Sequence, residues 1–256
     1  MNLIEYTRMY EVEDRHWWYV ALHALLLATI KRESQRIGRT LAIFDAGCGT
    51  GRLCQLMAEQ GHTVAGCDAS ELALQLCHQR GVGAVRQADL NTLELESEAF
   101  DVVTSIDVLY HTGIVDDVAV MKRLWSSLRP GGMLILNLVA HEFLRSRHDI
   151  AVHTRERYDR HTLCERLQAA GFEIEFTTYR VSFLFPLITV YRLVSRFAYG
   201  KGTDRGSVAS DVSLPHPWLN FLLLKIMTVE NLLFKNFSLP FGSSIFVVAH
   251  KQNSDG

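Results

Sequence analysis

The sequence lacks the features that would place it outside ordinary globular proteins. Its 256 residues carry 26 basic and 28 acidic side chains, so the net charge is only -2 and there is no overall basic field. Binding to a nucleic-acid backbone depends on such a field, so nucleic acid is not an expected partner. There are five cysteines and no C-x-x-C pair, which argues against a disulfide framework or a zinc site. We therefore expect a cytoplasmic protein with free thiols.

Long uninterrupted apolar segments are also missing. The apolar stretch at 183–199 is broken by a proline and two arginines, and the stretch at 218–239 by three charged residues. A membrane-spanning helix needs about 20 consecutive, predominantly apolar residues. The acidic amino terminus does not resemble a secretion signal. No transmembrane segment is therefore expected.

From residue 41 onward, short apolar segments alternate with amphipathic ones. Strands are predicted at 41–44, 63–67, 83–87, 101–105, 133–139, 172–179 and 243–250. Helices are predicted at 52–60, after the capping residue Ser70, at 116–128, and after a capping box formed by Thr162 and Glu165. An apolar stripe over 14–37 predicts one further helix before the first strand. This alternation indicates an α/β fold with a doubly wound, mostly parallel sheet.

A glycine-rich turn, FDAGCGTG at 44–51, follows the first predicted strand. In doubly wound sheets, a ligand binds at the carboxyl ends of the strands, where glycines let the backbone approach it. A dinucleotide fingerprint, G-x-G-x-x-G, would need glycine or alanine at position 52, which is Arg52 in this chain. The third glycine, Gly51, comes one residue too early. The spacing therefore disfavours a nicotinamide dinucleotide and an oxidoreductase.

Two carboxylates near the turn indicate a different ligand. Asp45 lies directly before the turn, where it would repel a pyrophosphate but can receive an ammonium group. Asp68 ends the second predicted strand and can accept hydrogen bonds from both hydroxyls of a ribose. A ribose and an ammonium group together suggest S-adenosylmethionine as the ligand.

These residues and four later segments resemble the class I S-adenosylmethionine-dependent methyltransferases. The segments are AGCDAS at 65–70, ADL at 88–90, FDVVTSIDVLYH at 100–111 and LRPGGMLIL at 128–136. EDRHWWY at 13–19 and LPFGSSIFVVAHK at 239–251 are similar to a bacterial small-molecule subgroup that is often found with natural-product or cell-envelope genes. The resemblance implies a seven-stranded Rossmann-like sheet whose last strand is antiparallel between the fifth and sixth. It also implies S-adenosylmethionine as the cofactor and no metal.

The resemblance assigns the cofactor contacts residue by residue. The turn would hold methionine and ribose, Asp68 the ribose, and Asp89 with Leu90 the adenine, while the segment 105–107 would flank the methionine end. The full set implied is Asp45, Gly47, Cys48, Gly49, Gly51, Asp68, Ala69, Asp89, Leu90, Ser105 and Ile106.

Methyl transfer from a sulfonium is an in-line displacement in which alignment of the reactants supplies much of the acceleration. An acceptor hydroxyl or ammonium must also lose a proton. His111, just after the fourth strand, is the first candidate base, and His148 paired with Asp149 is a second. Each histidine could equally have a structural role.

The acceptor itself is expected to contact a set of aromatic and basic residues: Trp17, Tyr110, His153 and Arg157. Ordinary alternatives are core packing for the tryptophan and a surface ion pair for the arginine.

The chain divides into four predicted parts. Residues 1–38 form an amino-terminal helical lid, 39–181 the cofactor-binding core, 182–241 a helical insert, and 242–256 the last strand and tail. The insert is expected to be a lid, a homodimer contact or a surface for a lipid-like acceptor.

The predicted function is methyl transfer to oxygen or nitrogen of a small molecule, and the alternative is a catalytically silent cofactor-binding protein. After the fourth strand stands SIDVLYH and not N-P-P-[YF] or D-P-P-Y, which disfavours amino-methylating enzymes of nucleic acids and proteins.

Overall fold

Seven strands form one sheet in the computed structural model, which describes residues 2–199, 213–234 and 237–252. The strands are β1 (Ala42–Ala46), β2 (Thr63–Asp68), β3 (Val85–Gln87), β4 (Phe100–Ile106), β5 (Leu128–Val139), β6 (Phe172–Arg180) and β7 (Ser244–Lys251). The α-helices in the described part are α1 (Leu3–Val12), α2 (Trp17–Ile37), α3 (Arg52–Glu59), α4 (Glu71–Gln79), α5 (Asp117–Ser127), α6 (Arg147–Ala151), α7 (Arg160–Ala169), α8 (Phe185–Tyr199) and α9 (Pro217–Leu233).

The strand order is β3-β2-β1-β4-β5-β7-β6, which confirms the predicted topology. β1 pairs in parallel with β2 and β4, whereas β7 is antiparallel to both of its neighbours, β5 and β6. The centre of β5 is buried on both faces, as its nearly continuous apolar sequence requires. The carboxyl ends of β1, β2 and β4 consequently meet at one edge of the sheet.

The helix predicted over 14–37 is present as α2, and a second helix that was not predicted, α1, precedes it. α2 begins only at Trp17, because the ring of His16 accepts a hydrogen bond from the amide of Trp18 and caps the helix. α1 precedes it and packs Tyr6 against Ala73 and Leu76 of α4. This placement brings α1 close to the glycine turn.

Two other predicted boundaries need correction. β5 begins at Leu128, five residues before the predicted strand start, so the Pro-Gly-Gly segment belongs to the strand. α7 begins at Arg160 and not after Thr162, because the carboxylate of Asp159 accepts hydrogen bonds from both the amide and the hydroxyl of Thr162. The predicted Thr162–Glu165 capping box is therefore replaced by an aspartate cap.

The helices after β6 pack beside α2. Met227 of α9 is fully buried, and so is Glu230, whose carboxylate accepts hydrogen bonds from the amides of Val181 (2.6 Å) and Phe183 (3.1 Å). Glu230 therefore holds the chain where β6 ends and is not a solvent-facing break in an apolar helix. The polar segment GKGTDRGSVASDVS at 200–213, which the sequence predicts to be a linker within the insert, lies largely outside the described residues. None of the helices that the structure describes has the length and apolar character to cross a membrane.

Candidate active site

The glycine turn after β1 has a backbone that only glycine adopts readily. Gly47, Gly49 and Gly51 have φ values of 88°, 56° and 79°. A Cβ atom on Gly47 would lie 2.3 Å from Cγ2 of Val108, so no larger residue fits there. The turn therefore brings bare backbone to the edge of the sheet, as close approach of a ligand requires.

Asp45 ends β1 directly beneath this turn. Its Oδ1 accepts a hydrogen bond from the hydroxyl of Thr104 (2.7 Å), and its Oδ2 accepts one from the thiol of Cys54 (3.4 Å). Burial raises the pKa of this carboxyl to about 6, so it is mostly ionised at neutral pH. A buried carboxylate of this kind gains stability from a bound ammonium group.

Asp68 at the end of β2 is held by three donors. Its Oδ2 accepts a hydrogen bond from the amide of Gly49 (3.0 Å), and its Oδ1 accepts bonds from the amide of Ser70 (2.9 Å) and the hydroxyl of Tyr6 (3.0 Å). Sequence reasoning missed Tyr6, which comes from α1. The only signal for it was the apolar spacing of Tyr6, Met9 and Tyr10 in a segment otherwise rich in polar residues.

One cavity of about 1620 Å³ covers the carboxyl ends of these strands. Sites for single drug-sized ligands are typically about 300–1,000 Å³, so this space accommodates a cofactor together with an acceptor. Of the predicted site residues, those lining the cavity are Trp17, Asp45, Gly47, Cys48, Gly49, Asp68, Ala69, Asp89, Leu90, Ile106, Tyr110 and His111.

Four predicted site residues have other surroundings. Gly51 packs against Cys77, and the hydroxyl of Ser105 donates to the backbone oxygen of Ala46 (3.0 Å). His153 and Arg157 also lie outside the set of residues that line the cavity.

Arg157 is bound within the protein. Its guanidinium donates to both carboxylate oxygens of Asp149 (2.8 and 3.1 Å), and both side chains are buried. Asp149 therefore already has a cationic partner, which weakens its predicted pairing with His148. The backbone of His148 lies in α6, and its side chain lies outside the described part.

His111 does lie at the cavity, beside His153, whose ring stacks on it with centroids 5.5 Å apart. Its Nδ1 accepts a hydrogen bond from the amide of Gly113 (2.9 Å). Burial lowers the pKa of His111 to about 4, so the ring is neutral at neutral pH. With Nδ1 acting as an acceptor, the ring proton sits on Nε2, and that nitrogen is a donor.

The comparisons with known proteins agree with this geometry. Residues 44–136 match the sequence family described as a methyltransferase domain. The match covers 93 of the 256 residues, and this part of the chain is similar to the methyltransferase domain. S-adenosylmethionine carries an ammonium group and a ribose, and the glycine turn, Asp45 and Asp68 line the same cavity.

Similar proteins extend the likeness to other parts of the chain. A ubiquinone biosynthesis O-methyltransferase of Pseudomonas fluorescens is 30% identical over 142 residues, which are 51% of this chain and 60% of that protein. An S-adenosylmethionine-dependent methyltransferase structure from Thermotoga maritima aligns with a TM-score of 0.56 at 16% identity, covering 97% of this chain and 95% of that one. The phosphoethanolamine N-methyltransferase 2 of Haemonchus contortus, solved with S-adenosylmethionine, aligns with a TM-score of 0.54 at 20% identity, covering 84% and 49%. The chain spans about half the length of the curated relatives it matches, 41% and 60% in two of them.

The same cavity is also lined by residues of α2, α8 and the segment after β4. Tyr19 and His23 come from α2, Tyr191 from α8, and Asp107 from the end of β4. The sequence analysis placed Asp107 in the segment that flanks the methionine end of the cofactor and did not name it as a base. In the part of the chain that the structure describes, no group of three or more histidine, cysteine, aspartate or glutamate side chains is arranged to hold a metal ion.

Proposed function

We propose that this protein transfers a methyl group from S-adenosylmethionine to an oxygen or nitrogen of a small-molecule acceptor in the cytoplasm. One observation carries the proposal. A single cavity is lined by the glycine turn, Asp45 and Asp68 and also by Asp107, His111 and the aromatic residues of α2. We call the first group the cofactor end and the second the acceptor end. A cofactor held by the first group can therefore present its methyl group to an acceptor held by the second.

The residues at the cofactor end act by binding and orienting. S-adenosylmethionine, when bound, supplies an electrophilic methyl group. Asp45 would hold its ammonium group, and Asp68 its ribose hydroxyls, with Asp89 and Leu90 beside the adenine. Holding the reactants in line can supply about 7–11 kcal/mol of the barrier reduction.

The acceptor end is lined by Trp17, Tyr19, Tyr110 and Tyr191, which suit a flat or apolar acceptor. His111 remains a candidate for handling the acceptor proton. The Nε2 atom of His111 carries the ring proton, however. The histidine is therefore better placed to donate a hydrogen bond to the methyl acceptor than to remove a proton from it.

Calorimetric titration with S-adenosylmethionine, S-adenosylhomocysteine and NAD in parallel tests the cofactor assignment. We expect micromolar binding of both adenosyl ligands and none of NAD. Asp68→Ala should weaken adenosyl binding at least about tenfold, since it removes a charge-assisted acceptor of the ribose. Glu175→Gln on the exposed face of β6 is the matched control and should bind like the wild type. Failure of the folded wild type to bind either adenosyl ligand would refute the proposal.

Turnover separates an enzyme from a silent binding protein. Purified protein with S-adenosylmethionine and a panel of phenols, catechols and aromatic amines should form S-adenosylhomocysteine in step with methylated product. Binding of the cofactor without transfer to any member of the panel would favour the silent alternative.

A second candidate, a lipid-like acceptor, is favoured by the surface of α8. Ile188 and Tyr191 line the cavity, while Leu187, Val190 and Val194 of the same helix are exposed. An apolar tail leaving the cavity would be covered by this face. We then expect a phenol with a long alkyl chain to have a KM at least about tenfold lower than phenol itself, as burial of several methylene groups at about 0.8 kcal/mol each allows. Pairing of two copies through the same face is the competing explanation, and sedimentation at rising protein concentration would detect it.

A further inference from the structure

We propose that Asp107 is the catalytic residue that accepts the proton of the methyl acceptor. This inference rests on the proposed function and assigns a residue to one of its steps. It also names the acceptor class as a neutral hydroxyl or a protonated amine, because both must release a proton during methyl transfer.

The backbone at Asp107 is held in an unusual conformation at the cavity wall. Its φ is 57°, in the left-handed region that few residues other than glycine, asparagine and aspartate adopt readily. The amide of Asp107 donates to the backbone oxygen of Asn137 (2.8 Å), which fixes this bend to β5. Strain of this kind persists where the surrounding structure requires it.

The carboxylate has one engaged oxygen and one without a partner. Oδ2 accepts a hydrogen bond from the side-chain amide of Asn137 (3.0 Å). Oδ1 is buried and has no hydrogen-bond partner among the described residues, although Asp107 lines the cavity. A buried polar atom without a partner is rare in native proteins and calls for an explanation. A donor group of the acceptor would satisfy Oδ1.

The supporting residues fix the direction of this carboxylate. The side-chain oxygen of Asn137 accepts from Nη1 of Arg180 (3.1 Å), so the amide nitrogen of Asn137 points at Asp107. Arg180 is itself fully buried at the end of β6, near Glu230 of α9. Asn137 and Arg180 are therefore positioning residues on two strands of the sheet.

Several ionisable groups surround Asp107. Arg180 and Arg157 favour its charged form, and the hydroxyls of Tyr19 and Tyr110 lie close enough to interact with that charge. Burial outweighs these partners and raises the pKa of Asp107 to about 7. A base with a pKa near the working pH combines availability with proton affinity.

The step balances in atoms and charge. The acceptor's O–H or N–H bond breaks and its proton moves to Oδ1 of Asp107, while the electron pair stays on the acceptor atom. That atom forms a bond to the methyl carbon, and the carbon–sulfur bond breaks with its electron pair moving to sulfur. For a hydroxyl acceptor, a positive sulfonium and a negative carboxylate both become neutral, which a buried site favours.

The test uses Asp107→Asn in the full chain with two probes, phenol and 4-nitrophenol, at about pH 8. Asparagine has the same shape, tolerates the left-handed backbone and removes only the charge. Phenol must lose its proton, whereas 4-nitrophenol is already largely ionised at that pH. His111→Gln is run beside it as the competing base, with Glu175→Gln as the distant control.

We expect Asp107→Asn to lower kcat on phenol by about 10²–10⁴-fold and on 4-nitrophenol by less than about tenfold. Its Kd for S-adenosylmethionine should stay within about threefold of the wild type. A merely structural role would reduce turnover of both probes alike.

Four outcomes would overturn the inference. Unchanged kcat on phenol would exclude a proton-accepting role, and an equal loss on both probes would indicate a structural one. If Asp107→Asn binds S-adenosylmethionine at least tenfold more weakly and its kcat on 4-nitrophenol is also reduced, Asp107 lies at the ammonium group of the cofactor. If only His111→Gln loses kcat on phenol while keeping kcat on 4-nitrophenol, the base is His111. If the wild type itself methylates neither probe nor any other acceptor of the panel, the proposed function fails and this inference falls with it.

Discussion

The substitution Asp107→Asn should make the protein more stable at neutral pH. The pKa of Asp107 is about 7, against 3.8 for an ordinary aspartate. The folded protein therefore keeps this proton up to about pH 7, while the unfolded chain releases it near pH 4. Between these values a rise in pH favours the unfolded state. At about 1.36 kcal/mol per pKa unit, the ionised carboxylate costs the wild type about 4 kcal/mol of unfolding free energy above pH 7.

Urea unfolding of the wild type and Asp107→Asn at several pH values between 4 and 8 measures this cost. Asparagine does not titrate, and every other ionisable group is shared, so the difference between the two curves isolates Asp107. We expect the stability advantage of the variant to grow by about 1.4 kcal/mol per pH unit from about pH 4 to 7 and to level off above. Parallel curves over the whole range would refute both the raised pKa and the burial that causes it.

Two further substitutions test the cofactor turn and the buried ion pair. Gly47→Ala should destabilise the fold by about 1–3 kcal/mol through overpacking and abolish adenosyl binding in calorimetry. Gly38 is also at positive φ but lies in open space, so Gly38→Ala should cost about 1 kcal/mol of stability and leave binding intact. Equal binding by both variants would show that the turn is not the cofactor cradle. Arg157→Met should lower the free energy of unfolding in urea by about 3–5 kcal/mol, because it leaves Asp149 charged and buried. Arg32→Met breaks an exposed ion pair and should lower it by less than about 1 kcal/mol. Similar losses in the two arginine variants would contradict the buried pair.

The sheet and the cofactor end of the cavity could be predicted because their signals are local. The order of strands, the glycine turn and the position of Asp68 all follow from short segments in which neighbouring residues form one element. The antiparallel β7 was predicted only through the family resemblance. Within the elements, a capping aspartate such as Asp159 shifts a boundary by a few residues, because several polar residues compete for the same amides.

The contacts that support the cavity and the charged loop could not be predicted because they join distant segments. Tyr6 binds Asp68 across 62 positions of the sequence, and Arg180 reaches Asn137 across 43. Composition gave no sign that Arg157, in a loop rich in charge, would be buried against Asp149. An arginine in such a loop is usually exposed, and only tertiary packing decides otherwise.

The choice of base shows how burial changes chemistry that the sequence appears to fix. In water, a histidine titrates near neutrality and an aspartate near pH 4, so the sequence favours His111 over Asp107. Removing both side chains from water disfavours the charged form of each, which lowers the pKa of His111 to about 4 and raises that of Asp107 to about 7. Burial therefore moves the pKa of Asp107 to neutral pH and the pKa of His111 away from it. The hydrogen bond from the amide of Gly113 to Nδ1 of His111 is a geometric reason against His111 as the base. A carboxylate that is half-protonated near neutral pH, with a buried and unpartnered oxygen on a residue that lines the cavity, becomes the better proton acceptor of the two.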